Sequence, residues 1–188
     1  MDDNELASRA YPKRNTSLLI QLGGHAGSGK STLARELAGQ LHGIVIDLDS
    51  IKTALLDSGA GWDLASAASY AVIYSLVDDN LVRAGAVVIV DVPSYWPEIH
   101  ERLGSTADRV SAKYVFVECE APEHIRAARI SSRVGRRSQI STLGSSPPDA
   151  APANGSAHLR EIQRPLNRLC VHVNTEGTTA AAHVLSHI

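Results

Sequence analysis

The sequence predicts an α/β fold built around a parallel sheet. Five runs of aliphatic residues are nearly continuous rather than alternating, which is typical of strands buried on both faces. Segments with helical spacing separate these runs, as in chains that alternate strands with helices. A glycine-rich loop at residues 24–31 joins the first strand to the first helix.

The first half of the chain supplies two strands and three helices. Residues 18–22, which are apolar except for Gln21, predict the first strand, and residues 31–41 follow as a helix with a leucine at every fourth position of one face. The run at residues 43–47 predicts the second strand. A helix is expected at residues 49–56, capped by Asp49 or Ser50, and another at about residues 64–84.

The second half continues the alternation. Pro122 stands after the fourth strand, at a position where proline favours the start of a helix. A last helix is expected from Thr178 to the end. We expect the Pro- and Ser-rich segment at residues 144–157 to be a flexible loop. The remaining strands are predicted at residues 86–91, 113–118 and 169–174.

Composition limits the classes of function. The 188 residues carry a net charge of −2, so the overall charge does not attract nucleic acid or an anionic membrane. Aromatic residues make up 4%, which disfavours a binder of single-stranded nucleic acid built on stacked rings. Two cysteines are too few for a disulfide framework, and residues 1–15 lack the apolar stretch of a signal peptide. No apolar run is long enough to cross a membrane, so we expect a cytoplasmic protein.

The glycine-rich loop matches the pattern G-x-x-x-x-G-K-[ST] at every fixed position. Its glycines let backbone N–H groups surround phosphate oxygens. We expect Lys30 to reach the β- and γ-phosphates of a nucleotide, and the Ser31 hydroxyl to bind Mg²⁺. The candidate nucleotide-binding residues in and beside the loop are Gly24, Gly27, Ser28, Gly29, Lys30, Ser31 and Thr32.

Three classes of nucleotide-binding protein compete for this loop: switch GTPases, mechanical or regulatory ATPases, and small-molecule kinases. The N-K-x-D element that recognises guanine is missing, because residues 174–177 read Asn-Thr-Glu-Gly. The D-x-x-G pattern is also missing after the third strand. Motor-type ATPases usually need a longer chain, so size and motif content favour the kinase class.

Two aspartates, Asp47 and Asp49, close the second strand. The carboxyl ends of parallel strands line the ligand crevice of an open sheet. One carboxylate there can serve the Mg²⁺ side, while the other accepts the proton of an attacking hydroxyl. We assign Asp47 to the metal side and Asp49 to the base. The alternatives are that Asp49 only caps the following helix, or that the pair is a phosphatase-like D-x-D element.

Other charged residues extend this candidate site. Asp91 ends the third strand as a Walker-B-type carboxylate that would assist the metal or the acceptor. Lys52 lies one helical turn after Asp49 and is a candidate for contact with an anionic acceptor. Five arginines lie between residues 126 and 137, and a helix would align Arg126, Arg129 and Arg133 on one face. We expect Arg129 and Arg133 to stabilise the moving phosphate from a closing lid, and Arg126 to be structural or close to the base.

These features together resemble the small P-loop kinases of the nucleoside-monophosphate-kinase superfamily, such as gluconate kinases. The similarity runs from about residue 18 to the last helix. The Asp-Ser-Ile sequence that begins at Asp49 is similar to chloramphenicol phosphotransferase. The Asp47-x-Asp49 spacing resembles the aspartate pair of shikimate kinase, and Arg129-x-x-x-Arg133 resembles the lid arginines of the group.

The resemblance implies a P-loop NTPase three-layer sandwich, with helices on both faces of a five-stranded parallel sheet of order 2-3-1-4-5. It implies one kinase domain over residues 1–188, with an Arg-rich lid at about residues 126–143. It also implies that Asp49 is the general base and that the loop at residues 174–177, with Thr175, lies near the adenine. Lys52 stands where nucleotide kinases often carry an arginine, and the insertion at residues 144–157 has no assigned counterpart.

Five of the eight aromatic residues lie between the second strand and the segment just after the third. In the fold that the chain resembles, these segments flank the acceptor pocket, so we expect a ring-lined pocket for an organic molecule. Ordinary core packing is the alternative. The candidate acceptor-binding residues are Asp49, Lys52, Tyr70, Tyr74, Asp91, Ser94, Trp96 and Arg133.

The sequence therefore predicts an O-phosphotransferase that uses Mg²⁺ and ATP or GTP. Its expected partner is a small organic molecule with a hydroxyl group: an antibiotic, including a nucleoside-type one, a sugar acid or a metabolite. Nucleic acid is not the expected partner. The alternatives are a regulatory module that binds and slowly hydrolyses a nucleotide, and a kinase of nucleic-acid 5′-hydroxyl groups.

Overall fold

The computed structural model describes residues 16–83, 85–150, 160–177 and 179–188. Residues 1–15, where no signal peptide is expected, lie outside these ranges. Residues 151–157 of the expected flexible loop lie outside them too. The strands are β1 (Leu18–Gly23), β2 (Ile44–Asp47), β3 (Val87–Asp91), β4 (Lys113–Glu120) and β5 (Leu169–Asn174). The helices are α1 (Lys30–Leu41), α2 (Leu48–Asp57), α3 (Trp62–Leu81), α4 (Pro97–Arg109), α5 (Glu123–Ser132) and α6 (Ala180–Leu185).

All five strands are parallel and lie in the order β2-β3-β1-β4-β5, which confirms the predicted sheet. The strand register aligns Asp91 of β3 with Leu22 of β1 on one side and with Asp47 of β2 on the other. The carboxyl ends of the strands therefore meet at one edge. That edge carries the loop of residues 24–31 at its centre, Asp47 and Asp49 on one side, and the end of β4 on the other.

Aliphatic side chains fill both faces of the sheet. Ile20 of β1 packs with Leu33 and Leu37 of α1 on one face. Leu19 of β1 packs with Ile73 of α3 on the opposite face. Because successive strand residues point to opposite faces, each strand contributes to both layers. The three-layer arrangement with helices on both faces is thus confirmed.

Helix α4 was not predicted from the sequence, although apolar residues with helical spacing are present in this segment. Pro97 begins the helix, and Ile99, Leu103 and Ala107 repeat every four residues on its buried face. Its other positions are largely polar and charged, so no continuous apolar run marks the segment. The pattern had to be recognised from its period alone.

Two local predictions are corrected. The cap of α2 is neither Asp49 nor Ser50: the side chain of Asp47 accepts hydrogen bonds from the backbone N–H groups of both. The expected helical alignment of three arginines ends early, because α5 stops at Ser132 and Arg133 has extended backbone dihedrals. Arg126 and Arg129 lie on the helix, and Arg133 begins the loop that follows.

Both cysteines are free, Cys119 being buried and Cys170 partly exposed. Among the helices of the described residues, none combines the length and apolar character needed to span a membrane.

Candidate active site

The loop between β1 and α1 is held in a shape that only glycine tolerates. Gly24, Gly27 and Gly29 have φ angles of +134°, +77° and +86°. A Cβ atom on Gly24 would lie 2.3 Å from the carbonyl oxygen of Cys119 and 2.7 Å from the Ser28 hydroxyl. That Ser28 hydroxyl is buried and has no hydrogen-bond partner among the described residues. The loop therefore offers an unused polar group where a phosphate oxygen would bind.

Lys30 and Ser31 begin α1 directly behind this loop. The Lys30 Nζ donates to the carbonyl oxygens of Gly24 at 2.8 Å and His25 at 3.0 Å, so the ammonium is held over the loop. The Ser31 hydroxyl donates to Oδ2 of Asp91 at 2.5 Å. Burial raises the pKa of the Asp91 carboxyl above its ordinary value, and Lys30 and the Ser31 hydroxyl oppose that rise. A hydroxyl and a carboxylate in contact at the mouth of a phosphate loop are suitable ligands for Mg²⁺.

Asp47 has different partners, although it pairs with Asp91 in the strand register. Its Oδ2 accepts hydrogen bonds from the Ser50 hydroxyl at 2.8 Å and from Arg136 at 2.7 Å. Burial acts to raise its pKa, but the Arg136 and Ser50 hydrogen bonds hold the pKa of Asp47 below its ordinary value. In this structure Asp47 caps α2 and binds Arg136, while Asp91 holds Ser31.

Asp49 lies in the first turn of α2 and is half-buried. Its Oδ1 accepts a hydrogen bond from the Ser138 hydroxyl at 2.9 Å, and its Oδ2 accepts one from the Gln139 amide at 2.7 Å. Neither of these partners was identified from the sequence. They follow Asp49 by 89 and 90 residues, and no motif marks them.

Arg129 and Thr175 meet behind the glycine-rich loop. The Arg129 guanidinium donates to the hydroxyl of Thr175 at 3.0 Å and to its carbonyl oxygen at 2.6 Å. The Thr175 hydroxyl donates to the carbonyl oxygen of Ser28 at 2.7 Å, and Arg129 reaches that of Gly27 at 3.3 Å. Two residues that the sequence grouped with nucleotide binding thus contact the loop from α5 and from the end of β5.

The later arginines of the cluster belong to the lid loop, which we define as residues 133–140. Arg133 donates to the carbonyl oxygen of Ile140 at 2.8 Å, while its Nε is buried with no hydrogen-bond partner among the described residues. Arg137 donates to the carbonyl oxygen of Leu56 at 2.7 Å and pairs with Asp149. The lid loop is therefore fastened to α2 in this structure.

Four of the aromatic residues form a ring cluster, namely Tyr70, Tyr74, Tyr95 and Trp96. Tyr70 lies 6.5 Å from Trp96 in an edge-to-face arrangement and 6.4 Å from Tyr74, and Tyr95 lies 5.8 Å from Trp96. Burial raises the pKa of Tyr70 and of Tyr95, and the charge of Asp49 raises both further. Asp49 is therefore close enough for its charge to act on these two residues of the ring cluster.

Trp62 lies outside the ring cluster and contacts Lys52 instead. The Lys52 Nζ is 4.7 Å from the centre of the Trp62 ring, and it makes no hydrogen bond within the described part of the chain. Burial lowers the pKa of Lys52, and the nearby charge of Asp49 opposes that shift.

Ser94 is also close to the sheet edge. Its hydroxyl is buried and lacks a hydrogen-bond partner among the described residues. A Cβ atom on Gly23 would collide with this hydroxyl.

A cavity of about 440 Å³ adjoins the loop on the side of β4 and β5. Gly24 and Ser28 line it from the loop, Glu120 and Asn174 from the strand ends, and Arg126 from α5. Asp49 and the ring cluster lie on the β2 and β3 side. The cavity and Asp49 thus lie on opposite sides of the loop.

Comparison with known proteins identifies the family. A family model described as AAA domain matches residues 19–150, and the chain belongs to this family. No curated protein gives a significant match.

Solved structures share the fold of small P-loop kinases. A kinase candidate from Chloroflexus aurantiacus J-10-fl has a TM-score of 0.69 at 19% identity, covering 92% of this chain and 97% of that chain. APS kinase CysC of Mycobacterium tuberculosis, solved with AMPPNP and APS, has a TM-score of 0.58 at 17% identity, covering 93% and 97%. The tunicamycin resistance protein of Deinococcus radiodurans has a TM-score of 0.52 at 17% identity, covering 90% and 92%. At these identities the likeness is one of fold.

Proposed function

We propose that this P-loop kinase domain is a phosphotransferase that moves the γ-phosphoryl group of ATP or GTP to a hydroxyl of a small organic molecule. One observation carries the proposal above the others. The Asp49 carboxylate follows the carboxyl end of β2 and is close enough to Tyr70 and Tyr95 for its charge to act on them, while the cavity lies on the other side of the phosphate loop. This separation favours a second molecule at Asp49 over a nucleotide alone.

The donor nucleotide would occupy the loop and the adjoining cavity. Backbone N–H groups of the loop and the Ser28 hydroxyl would bind phosphate oxygens, with Lys30 at the β- and γ-phosphates. Arg129 and Thr175 support the back of the loop, and Arg126 lines the cavity that suits the base. These contacts support nucleotide binding without selecting between adenine and guanine.

The contacts at the loop favour Asp91 over Asp47 as the carboxylate on the metal side. Ser31 and Asp91 already touch, and both supply the hard oxygen ligands that Mg²⁺ prefers. Asp47 instead uses its oxygens for the helix cap and for Arg136. When bound, Mg²⁺ would neutralise charge on the β- and γ-phosphates.

This assignment predicts different metal requirements for two aspartate variants. Asp91→Asn removes a charge beside Ser31, so the Mg²⁺ concentration that gives half-maximal rate should rise by about 10-fold or more. Asp47→Asn keeps an oxygen for the helix cap and should leave that concentration within about twofold. A magnesium titration of nucleotide turnover checks both variants. The reverse ranking would return the metal-side role to Asp47.

The transfer step follows from the position of Asp49. Its carboxylate accepts the proton of the acceptor hydroxyl as the hydroxyl oxygen forms a bond to the γ-phosphorus. The bond between that phosphorus and the bridging oxygen breaks, and the nucleoside diphosphate leaves. Lys30 and Arg133 would balance the charge on the phosphoryl oxygens during this step.

The surroundings of Asp49 suggest the chemistry of the acceptor. Rings on one side suit a flat or apolar part of a molecule, while Lys52 and the Ser94 hydroxyl suit polar groups. Nucleoside antibiotics, sugar acids and other hydroxy metabolites combine such groups, and the fold likeness to a tunicamycin resistance protein is a further reason to test antibiotics. The net charge of −2 makes a nucleic-acid acceptor a weaker candidate.

The ring cluster should control the affinity for the acceptor and not for the donor. Once an acceptor is identified, Tyr70→Ala and Trp96→Ala should each raise its KM by about fivefold or more, because an aromatic contact is lost. The KM of the nucleotide should stay within about twofold. Leu166→Ala, at a residue that is 87% exposed, serves as the control. If both ring variants keep the wild-type KM for the acceptor, the ring cluster is ordinary packing.

A further inference from the structure

Two side chains of the lid loop hold both oxygens of the Asp49 carboxylate. Ser138 donates its hydroxyl to Oδ1 at 2.9 Å, and Gln139 donates its amide N–H to Oδ2 at 2.7 Å. A carboxylate can only accept, so the nitrogen of the Gln139 amide must face it. Ser138 is only 7% exposed, which makes this a buried contact rather than a surface one.

A second helix residue completes the arrangement. The hydroxyl of Thr53, one turn after Asp49 on α2, donates to the Ser138 hydroxyl at 3.0 Å. Because Thr53 donates this bond, the one proton of the Ser138 hydroxyl is left for Asp49, whose Oδ1 lies at 2.9 Å and whose carbonyl oxygen lies at 3.2 Å. The order Thr53, Ser138, Asp49 is therefore a directed chain of hydrogen bonds.

Two arginines directly before Ser138 fix the lid loop where these contacts form. Arg136 binds Asp47 at 2.7 Å and the Ser50 hydroxyl at 2.8 Å. Arg137 binds the carbonyl oxygen of Leu56 at the far end of α2. Ser138 and Gln139 follow directly in sequence, so their approach to Asp49 depends on the lid loop lying against α2.

We propose that Ser138 and Gln139 are positioning residues, which hold the Asp49 carboxylate in one orientation toward the acceptor hydroxyl whenever the lid loop lies on α2. Each carboxylate oxygen has two lone pairs, so one donor per oxygen leaves a lone pair for the acceptor proton. Docking of the lid loop, which brings in the arginines, thus also orders the base. This inference rests on the proposed function of Asp49.

The test variants change only the donors to Asp49. Gln139→Leu removes the amide N–H and keeps a side chain of similar size, and Ser138→Ala removes the hydroxyl. The other groups that interact electrostatically with Asp49, among them Lys52 and Arg133, stay in place.

The contact is tested by steady-state kinetics of the full chain with an identified acceptor. Gln139→Leu should lower kcat about 10-fold with the nucleotide KM unchanged, because Asp49 loses a donor that orients its carboxylate. Ser138→Ala should lower kcat by a smaller factor, again with the nucleotide KM unchanged. Gln40→Leu, on the exposed face of α1, is the matched control and should leave kcat unchanged.

A catalytic readout separates this inference from the proposed function. In the Asp49→Asn background, Gln139→Leu should cause no further loss of kcat, because the carboxylate that Gln139 positions is already absent. A wild-type kcat in both Gln139→Leu and Ser138→Ala, or a loss that persists in full in the Asp49→Asn background, overturns the positioning role. Wild-type turnover in Asp49→Asn itself would instead contradict the proposed function.

Discussion

Replacing Asp49 with asparagine should lower phosphoryl transfer by about 10²–10⁴-fold, the usual contribution of a general base. Asparagine has nearly the same shape but cannot take the proton of the acceptor hydroxyl. Asp49 lies on the β2 side of the sheet edge, whereas the cavity beside the loop lies on the β4 side. The dissociation constant of the nucleotide, measured by calorimetry, should therefore stay within about twofold of the wild-type value.

Two results would count against the assignment of Asp49 as the base. A variant that turns over at the wild-type rate would show that another group accepts the proton. A variant that loses nucleotide affinity together with activity would place Asp49 in the donor site. Asp63→Asn, at an exposed residue in the first turn of α3, controls for general effects of removing a carboxylate from a helix start.

Replacing Lys30 with methionine should have the second-largest effect. The ammonium is held by the carbonyl oxygens of Gly24 and His25, so its charge lies at the loop before any nucleotide arrives. Such preorganised charge is worth about 10²–10³-fold in rate when it acts on a transferring group. We expect a loss of that size in turnover, accompanied by weaker nucleotide binding.

The matched control for Lys30 is Lys113→Met. Lys113 is exposed at the amino-terminal end of β4, at the opposite edge of the sheet from the loop. Steady-state kinetics of both variants should separate a local loss at the loop from a general loss of stability. Equal and small effects in the two variants would mean that Lys30 does not contact the phosphates.

Much of the fold could be predicted because its determinants are local. The aliphatic runs of β1 and β3 mark buried parallel strands, and the glycine-rich loop between β1 and α1 has a fixed spacing. In an open parallel sheet, ligands bind at the carboxyl ends of the strands, so the strand ends next to that loop are predicted to form a binding site. Residues such as Lys30 and Asp91 could therefore be chosen as candidates without coordinates.

The partners of those residues could not be predicted, because they depend on tertiary contacts. Asp47 and Asp91 both end strands, and only the packing assigns Ser31 to Asp91 and Arg136 to Asp47. Gln139 reaches Asp49 from 90 residues away, through a loop with no regular spacing. The sequence likewise grouped Trp62 with the other aromatic residues, whereas in the structure Trp62 contacts Lys52 and not the ring cluster.

The most direct test of the account is product analysis by mass spectrometry with a nucleotide whose γ-phosphoryl oxygens are oxygen-18. Wild-type protein, Mg²⁺ and a panel of nucleoside antibiotics, sugar acids and hydroxy metabolites are incubated together, with Asp49→Asn in parallel. We expect one class of compound to gain a phosphoryl group carrying three labelled oxygens, in the wild type and not in the variant. Labelled inorganic phosphate as the sole product, released equally by both proteins, would contradict transfer to an acceptor and support a regulatory nucleotide hydrolase instead.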